Sequence, residues 1–244
     1  MRGGVTRVST ARGGALVSSR ALALHVVALA GCALTVAPGA PDVCEGPVEM
    51  REASLASIED FVRGQHRTVL TVSGYSGAGY EDADAMLAGA SRILDGQDPA
   101  RTAINIGATA VGIGVVYELA KRKGFTTLGI VSTLARDEQV ELSSCVDHVF
   151  YVHDDAWGGR IPGSDRLSAT SAAIVAISSS FVAIGGGDIA RDEMLAARRA
   201  GKPVTFIPAD MNHEIAREKA RKKGEAEPTD FRGSAHAALA GATP

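Results

Sequence analysis

Short apolar runs recur along most of the chain, each stopped by glycine or a small hydroxyl residue and each followed by a stretch with helical spacing. The runs Thr68–Val72, Thr102–Ile106, Thr126–Val131, His148–Val152, Phe181–Ile184 and Pro203–Ile207 have the length and apolar content of buried strands. Between them lie helical patterns over about 81–94, 112–123 (closed by Gly124), 168–177, 189–200 (stopped by Gly201) and a basic one over 211–223. Arg51–Arg63 places Leu55, Ile58 and Val62 on one face and predicts a short lead-in helix. Strands alternating with helices imply βαβ units, hence an α/β three-layer sandwich around a mainly parallel sheet of about six strands.

In such a sheet, ligands sit beyond the carboxyl ends of the strands. The residues falling there are Gly74, Ser76, Gly77 and Gly79, then Gly107 and Thr109, Ser132 and Thr133, Gly185 to Asp188, and Asp210. Glycines let backbone approach a ligand closely, and hydroxyls donate hydrogen bonds to it. The stretch Phe181–Met194 is the strongest of these signals. An apolar strand runs into Gly185, Gly186 and Gly187, and Asp188 is placed to cap the next helix, so backbone N–H groups and the helix dipole favour an anion such as a phosphate ester.

The first loop reads G-x-x-G-x-G rather than the dinucleotide fingerprint, and the second strand ends near Asn105 without an acidic residue for a ribose, which argues against an NAD dehydrogenase. The ordered loops from about Thr68 to Asp210 resemble the SLOG superfamily of Rossmann-like proteins, which includes the lonely-guy phosphoribohydrolases. The resemblance rests on Gly74, Ser76 and Gly77, the turn at Gly107, and Gly186-Gly187 with Glu193 downstream, at the spacing of the family's P-G-G-x-G-T-x-x-E. It implies a Rossmann-like domain that binds a nucleotide or a nucleotide derivative. It also implies, as the alternative, an N-glycosidase that cleaves a nucleoside 5′-monophosphate with Glu193 as the carboxylate and Arg191 or Arg166 at the phosphate. Three departures favour binding without catalysis: Gly185 replaces the proline, Ile189-Ala190 replace Gly-Thr, and the family's upstream arginine falls near Thr170. A scaffold without ligand is the remaining reading.

Composition narrows the partners. Of 244 residues, 22% are charged and 45% apolar, with a net charge of −3, as in a globular domain. Aromatics are only 5%, and with no basic excess this speaks against nucleic-acid binding. The basic terminal helix reads as a solvated face with pairs such as Glu218 and Lys222. No cofactor and no metal is expected: His148, His153, Asp154 and Asp155 bracket a strand and lack a helical histidine pair. The loop Asp154–Asp165, with Trp157, has the length of a lid or of an oligomer contact, and a homodimer is the expected assembly.

Cys32, Cys44 and Cys145 are too few and too scattered for a disulfide scaffold or a zinc knuckle. Cys32 closes Leu29-Ala30-Gly31-Cys32 after an apolar run and four arginines without an acid, an arrangement that resembles a bacterial lipoprotein signal with its lipobox. The expected organisation is therefore a signal-like segment over 1–31, a Pro/Gly/Ala tether over 32–50 and one domain over 51–244. It implies a cell-envelope protein that meets the membrane only through a lipid on Cys32. Translation from Met50 would instead make it cytoplasmic.

Overall fold

The computed structural model describes residues 43–44 and 48–240. Seven strands, β1 (Glu49–Glu52), β2 (Thr68–Gly74), β3 (Thr102–Asn105), β4 (Thr126–Ser132), β5 (His148–Val152), β6 (Ser180–Ile184) and β7 (Val204–Ile207), form one sheet in the order β1-β5-β4-β3-β2-β6-β7. Every pairing is parallel. The helices are α1 (Leu55–Gly64), α2 (Ala83–Asp95), α3 (Val116–Arg122), the single turn α4 (Leu134–Asp137), α5 (Ala169–Ile177), α6 (Asp188–Arg199), α7 (His213–Lys223) and α8 (Gly233–Leu239). A 3-10 turn over Gly112–Val115 leads into α3, so that helix starts later than its spacing predicts.

Alternation along the central strands divides the core in two. On β6, Phe181 and Ala183 face one cluster with Ile58 of α1, Ala173 and Ile174 of α5, Met194 and Ala197 of α6, and Leu239 of α8. Val182 and Ile184 face the other, with Met86, Ala90 and Leu94 of α2 and Tyr117 and Ala120 of α3. Apolar side chains on both faces are what a covered parallel sheet requires, and the result is a Rossmann-like α/β sandwich. After β2 the chain moves outward through β3, β4 and β5, then returns to place β6 against the other side of β2. The direction reverses between β2 and β6, so the topological switch point lies at their carboxyl ends.

Besides the unexpected helices α4 and α8, two further features differ from the sequence expectation. The sheet gains a seventh strand, β1, that begins inside the residues read as tether. All four of its residues, Glu-Met-Arg-Glu, are exposed, so it carries no hydrophobic pattern and is defined by its ladder to β5. Cys44 and Cys145 form a disulfide across 101 residues, which ties the chain ahead of β1 to the segment ahead of β5. Cys32 lies outside the described residues.

Candidate functional site

A cavity of about 320 Å³ lies at the carboxyl edge of the central strands. Its walls include Thr71, Ser73 and Gly74 at the end of β2, Asn105 and Gly107 at the end of β3, Thr170 and Ile174 of α5, and Ile189, Ala190 and Glu193 of α6. Most of the lining is apolar, with a few polar groups converging on it, which is the usual make-up of a small-molecule site. A larger depression, near 750 Å³, lies by the opposite strand ends, against Arg63, His66 and Arg101. It has neither strand carboxyl ends nor a buried ionisable group among its lining residues.

The polar floor is set by hydrogen bonds within the sheet. Asn105 is fully buried; its Nδ2 donates to Thr71 Oγ1 at 3.0 Å and its Oδ1 accepts from Ile130 N at 3.3 Å. Thr71 Oγ1 in turn lies 2.6 Å from Ser178 Oγ. Beside it, the fully buried Tyr117 holds the turn after β3: its hydroxyl accepts from Ile106 N (2.9 Å) and Ala108 N (3.0 Å) and donates to Leu128 O (2.6 Å). That turn needs such support because Gly107 and Ala108 both take left-handed backbone, at φ 69° and 60°.

Glu193 is the sole ionisable residue among the lining residues. It is 3% exposed, and burial pushes its carboxyl up to about 7, against the opposing effect of the Ser171 hydroxyl, which donates to Oε1 at 2.6 Å. The neighbouring charge of Asp192 adds to the rise. Ser171 Oγ accepts from Gly159 N at 2.7 Å, so one hydroxyl joins the Trp157 loop to the acid. Arg160 N from the same loop donates to Asp192 Oδ2 at 3.0 Å. Trp157 lines the cavity with 43% of its surface exposed. At the loop's start, partial burial works to raise the Asp154 carboxyl, yet hydrogen bonds from Thr170 N (2.7 Å) and Ala156 N (3.0 Å) bring it below the usual range.

The residues expected at the strand ends separate into two groups. Gly74, Ser76, Gly107, Thr109 and Glu193 line the cavity. The others take up different work. Ser132 donates to Asp154 O (2.9 Å) and accepts from Leu134 N (3.1 Å), while Thr133 begins α4. Gly77 O accepts from Lys219 Nζ at 2.8 Å, and Gly79 (φ 61°) packs near Ile215. Asp210 faces His213, 3.5 Å away, which is itself stacked on Phe231.

The triple glycine is a packing joint more than an open cradle. Gly185 N donates to Ile207 O at 2.8 Å, and a Cβ on Gly185 would strike the Tyr75 ring. A Cβ on Gly186 would lie 2.6 Å from Ala190 Cβ and 3.4 Å from Ala235 Cβ, and Gly186 O accepts from Ala235 N at 3.1 Å. The Tyr75 hydroxyl donates to Arg232 O at 2.5 Å, which holds the ring against Gly185. Only Gly187 has nothing within 4 Å of a Cβ position. Gly187, not Asp188, is the N-cap of α6. Asp188 sits one residue later with an exposed side chain that pairs with Arg191 at 2.7 Å. Arg191 also donates to Asp192 Oδ1 at 3.0 Å and does not line the cavity, nor does Arg166.

Asn105, Thr71 and Ser171 complete the site's polar framework. The sequence signal was a polar residue inside an otherwise apolar strand or helix, which pattern reading assigns to burial without saying what it faces.

The fold and cavity thus define a Rossmann-like α/β domain with a small-molecule-sized site at its switch point. Among solved structures the chain is similar to the Moco carrier protein from Chlamydomonas reinhardtii, at 18% identity over 70% of this chain and 94% of that one, with a TM-score of 0.43. It is also similar to TM1055, a structural genomics target, at 17% identity over 56% of this chain and 72% of that one, with a TM-score of 0.40. No protein-family model and no curated protein sequence matches the chain.

Proposed function

We propose that this domain binds a small nucleotide-derived molecule in the switch-point cavity and holds it without turning it over. The observation that carries the reading is Glu193: an acid 3% exposed, with one oxygen fixed by Ser171, on the wall of a cavity otherwise built of apolar, hydroxyl, amide and backbone groups. Burying a carboxyl without a cation is costly, and a ligand that hydrogen-bonds it offsets the cost. The half-exposed Trp157 supplies an aromatic surface for a flat ring at the mouth. A thermal-shift screen against nucleobases, nucleosides and nucleotides tests this reading, and absence of stabilisation by every member sinks it.

A second reading is favoured by the same residue. A carboxyl raised to about 7 is suited to general acid or base work, which an N-glycosidase requires. Base release from a nucleoside 5′-monophosphate panel, lost in Glu193→Gln, identifies that activity. We rank it second because Arg191 is paired with Asp188 and Asp192, which leaves no lining cation for the phosphate.

We propose further that the protein is exported and lipid-anchored through Cys32. The Cys44–Cys145 disulfide supports an oxidising compartment and leaves Cys32 as the remaining cysteine of three. Intact mass of protein from a bacterial envelope fraction tests it: an acylated N-terminus at Cys32 supports the anchor, and one at Met50 refutes it.

A further inference from the structure

Charge and hydrogen-bonding capacity in the cavity narrow the ligand class further, given that the cavity is the ligand site. Among the lining residues the sole ionisable group is an acid, Glu193. Neither arginine beside the first turns of α6 lines the cavity: Arg191 pairs with Asp188 at 2.7 Å and Asp192 at 3.0 Å, and Arg160 lies 3.5 Å from Asp165 and 3.6 Å from Asp192, its buried Nε without a hydrogen-bond partner. Lys219, beside the first glycine loop, caps the Gly77 carbonyl. The backbone donors that would receive a phosphate are also reduced. Gly185 N is spent on Ile207 O, and the Tyr75 ring crowds Gly185 as Ala190 and Ala235 crowd Gly186. A phosphate dianion placed here would meet a carboxyl and find neither a side-chain cation nor a full ring of N–H groups.

The acid also has an open valence. Ser171 donates to Oε1, and the other carboxyl oxygen has no hydrogen-bond partner among the described residues. It therefore suits an N–H donor on a ligand, and the apolar walls of Ile174, Ile189 and Ala190 with Trp157 at the mouth suit a flat ring. A volume of about 320 Å³ is at the small end for ligand pockets, which span about 300–1,000 Å³.

We propose that the cavity selects an unphosphorylated nitrogen heterocycle, a nucleobase or nucleoside, whose ring or exocyclic N–H donates to Glu193, and that it discriminates against the corresponding 5′-monophosphate. This class also fits the proposed export, because it needs no supply of phosphorylated metabolites outside the cytosol.

The test uses isothermal titration of the purified full-length protein with matched base, nucleoside and 5′-monophosphate series of adenine, guanine, cytosine and uracil. In at least one series the base or nucleoside is expected to bind at least tenfold more tightly than the monophosphate. Glu193→Gln, which keeps shape and the Ser171 contact, is expected to weaken that ligand at least fivefold while the urea midpoint shows the variant folded. A monophosphate that binds as tightly as its nucleoside overturns the inference and leaves the binding reading intact. Unchanged affinity in folded Glu193→Gln also overturns it, because Glu193 would not be the recognising group. If no base, nucleoside or monophosphate binds, this inference and the proposed function both fall.

Discussion

Replacing Glu193 by glutamine should make the protein more stable at neutral and alkaline pH, and the size of the effect follows from the site. In an unfolded chain the carboxyl titrates near 4.5, whereas in the fold burial raises it to about 7. The folded state therefore holds this proton more tightly than the unfolded state. Between pH 4.5 and 7 the unfolded chain binds fewer protons, so stability falls as pH rises, and above about pH 7 the whole loss is in place. At about 1.4 kcal/mol per pH unit, the group costs about 3 kcal/mol at pH 8 relative to pH 4.5. Glutamine has nearly the same shape, accepts the Ser171 hydroxyl bond and does not ionise, so the variant should lack that slope. For a domain of this size the difference at pH 8 corresponds to roughly 6–12 °C in Tm. Carboxyls held below their usual range, such as Asp154, act at more acidic pH and with the opposite sign. Urea denaturation of oxidised wild type and Glu193→Gln at pH 5, 6, 7 and 8 measures the difference directly. Parallel pH profiles for the two proteins would refute the argument, because they would mean that Glu193 is hydrated or stays neutral throughout.

Other outcomes follow from single contacts. Cys44→Ser, or reduction with the fold otherwise intact, should cost about 2–5 kcal/mol in a denaturant titration, because the bridge closes a 101-residue loop. Tyr117→Phe strips the partner from Ile106 N, Ala108 N and Leu128 O, so a loss of about 3 kcal/mol is expected by thermal melting, and less than 1 kcal/mol would show that water or backbone adjustment replaces the hydroxyl. Asp192→Ala frees Arg160 N from α6 and should speed proteolytic cleavage within residues 154–168 under native conditions. Asp188→Ala should change stability by under about 0.5 kcal/mol, since Asp188 makes an exposed ion pair and is not the helix cap.

The architecture was legible in the chain because a covered parallel sheet writes itself into sequence as apolar runs separated by helical spacing. Residues 103–104 and 181–184 have few alternatives, since consecutive buried apolar residues meet helices on both faces of the sheet, whereas the buried Asn105 ends its strand at the cavity. The same rule put Gly74, Ser76, Gly107 and Thr109 at strand ends, and these do line the cavity. β1 escaped because an exposed edge strand is chosen by its hydrogen-bonding neighbour, not by its own side chains.

What sequence by itself determined was the order of elements and which loops gather at one sheet edge, both of which follow from local periodicity. Only tertiary structure decided what those loops do there. The triple glycine looks the same in sequence whether it is open or packed, and it is packed by residues far from it in the chain: Gly185 N donates to Ile207 O, Gly186 O accepts from Ala235 N, and the Tyr75 ring lies against Gly185. Motif spacing marks Glu193 as a candidate carboxylate, but only the fold pairs it with Ser171 of α5 and takes it out of water, and that burial raises its carboxyl to about 7. Pairing across long sequence separations and the loss of solvent are properties of the assembled fold, and at this site they set one buried acid in a mostly apolar cavity beside a closely packed glycine turn.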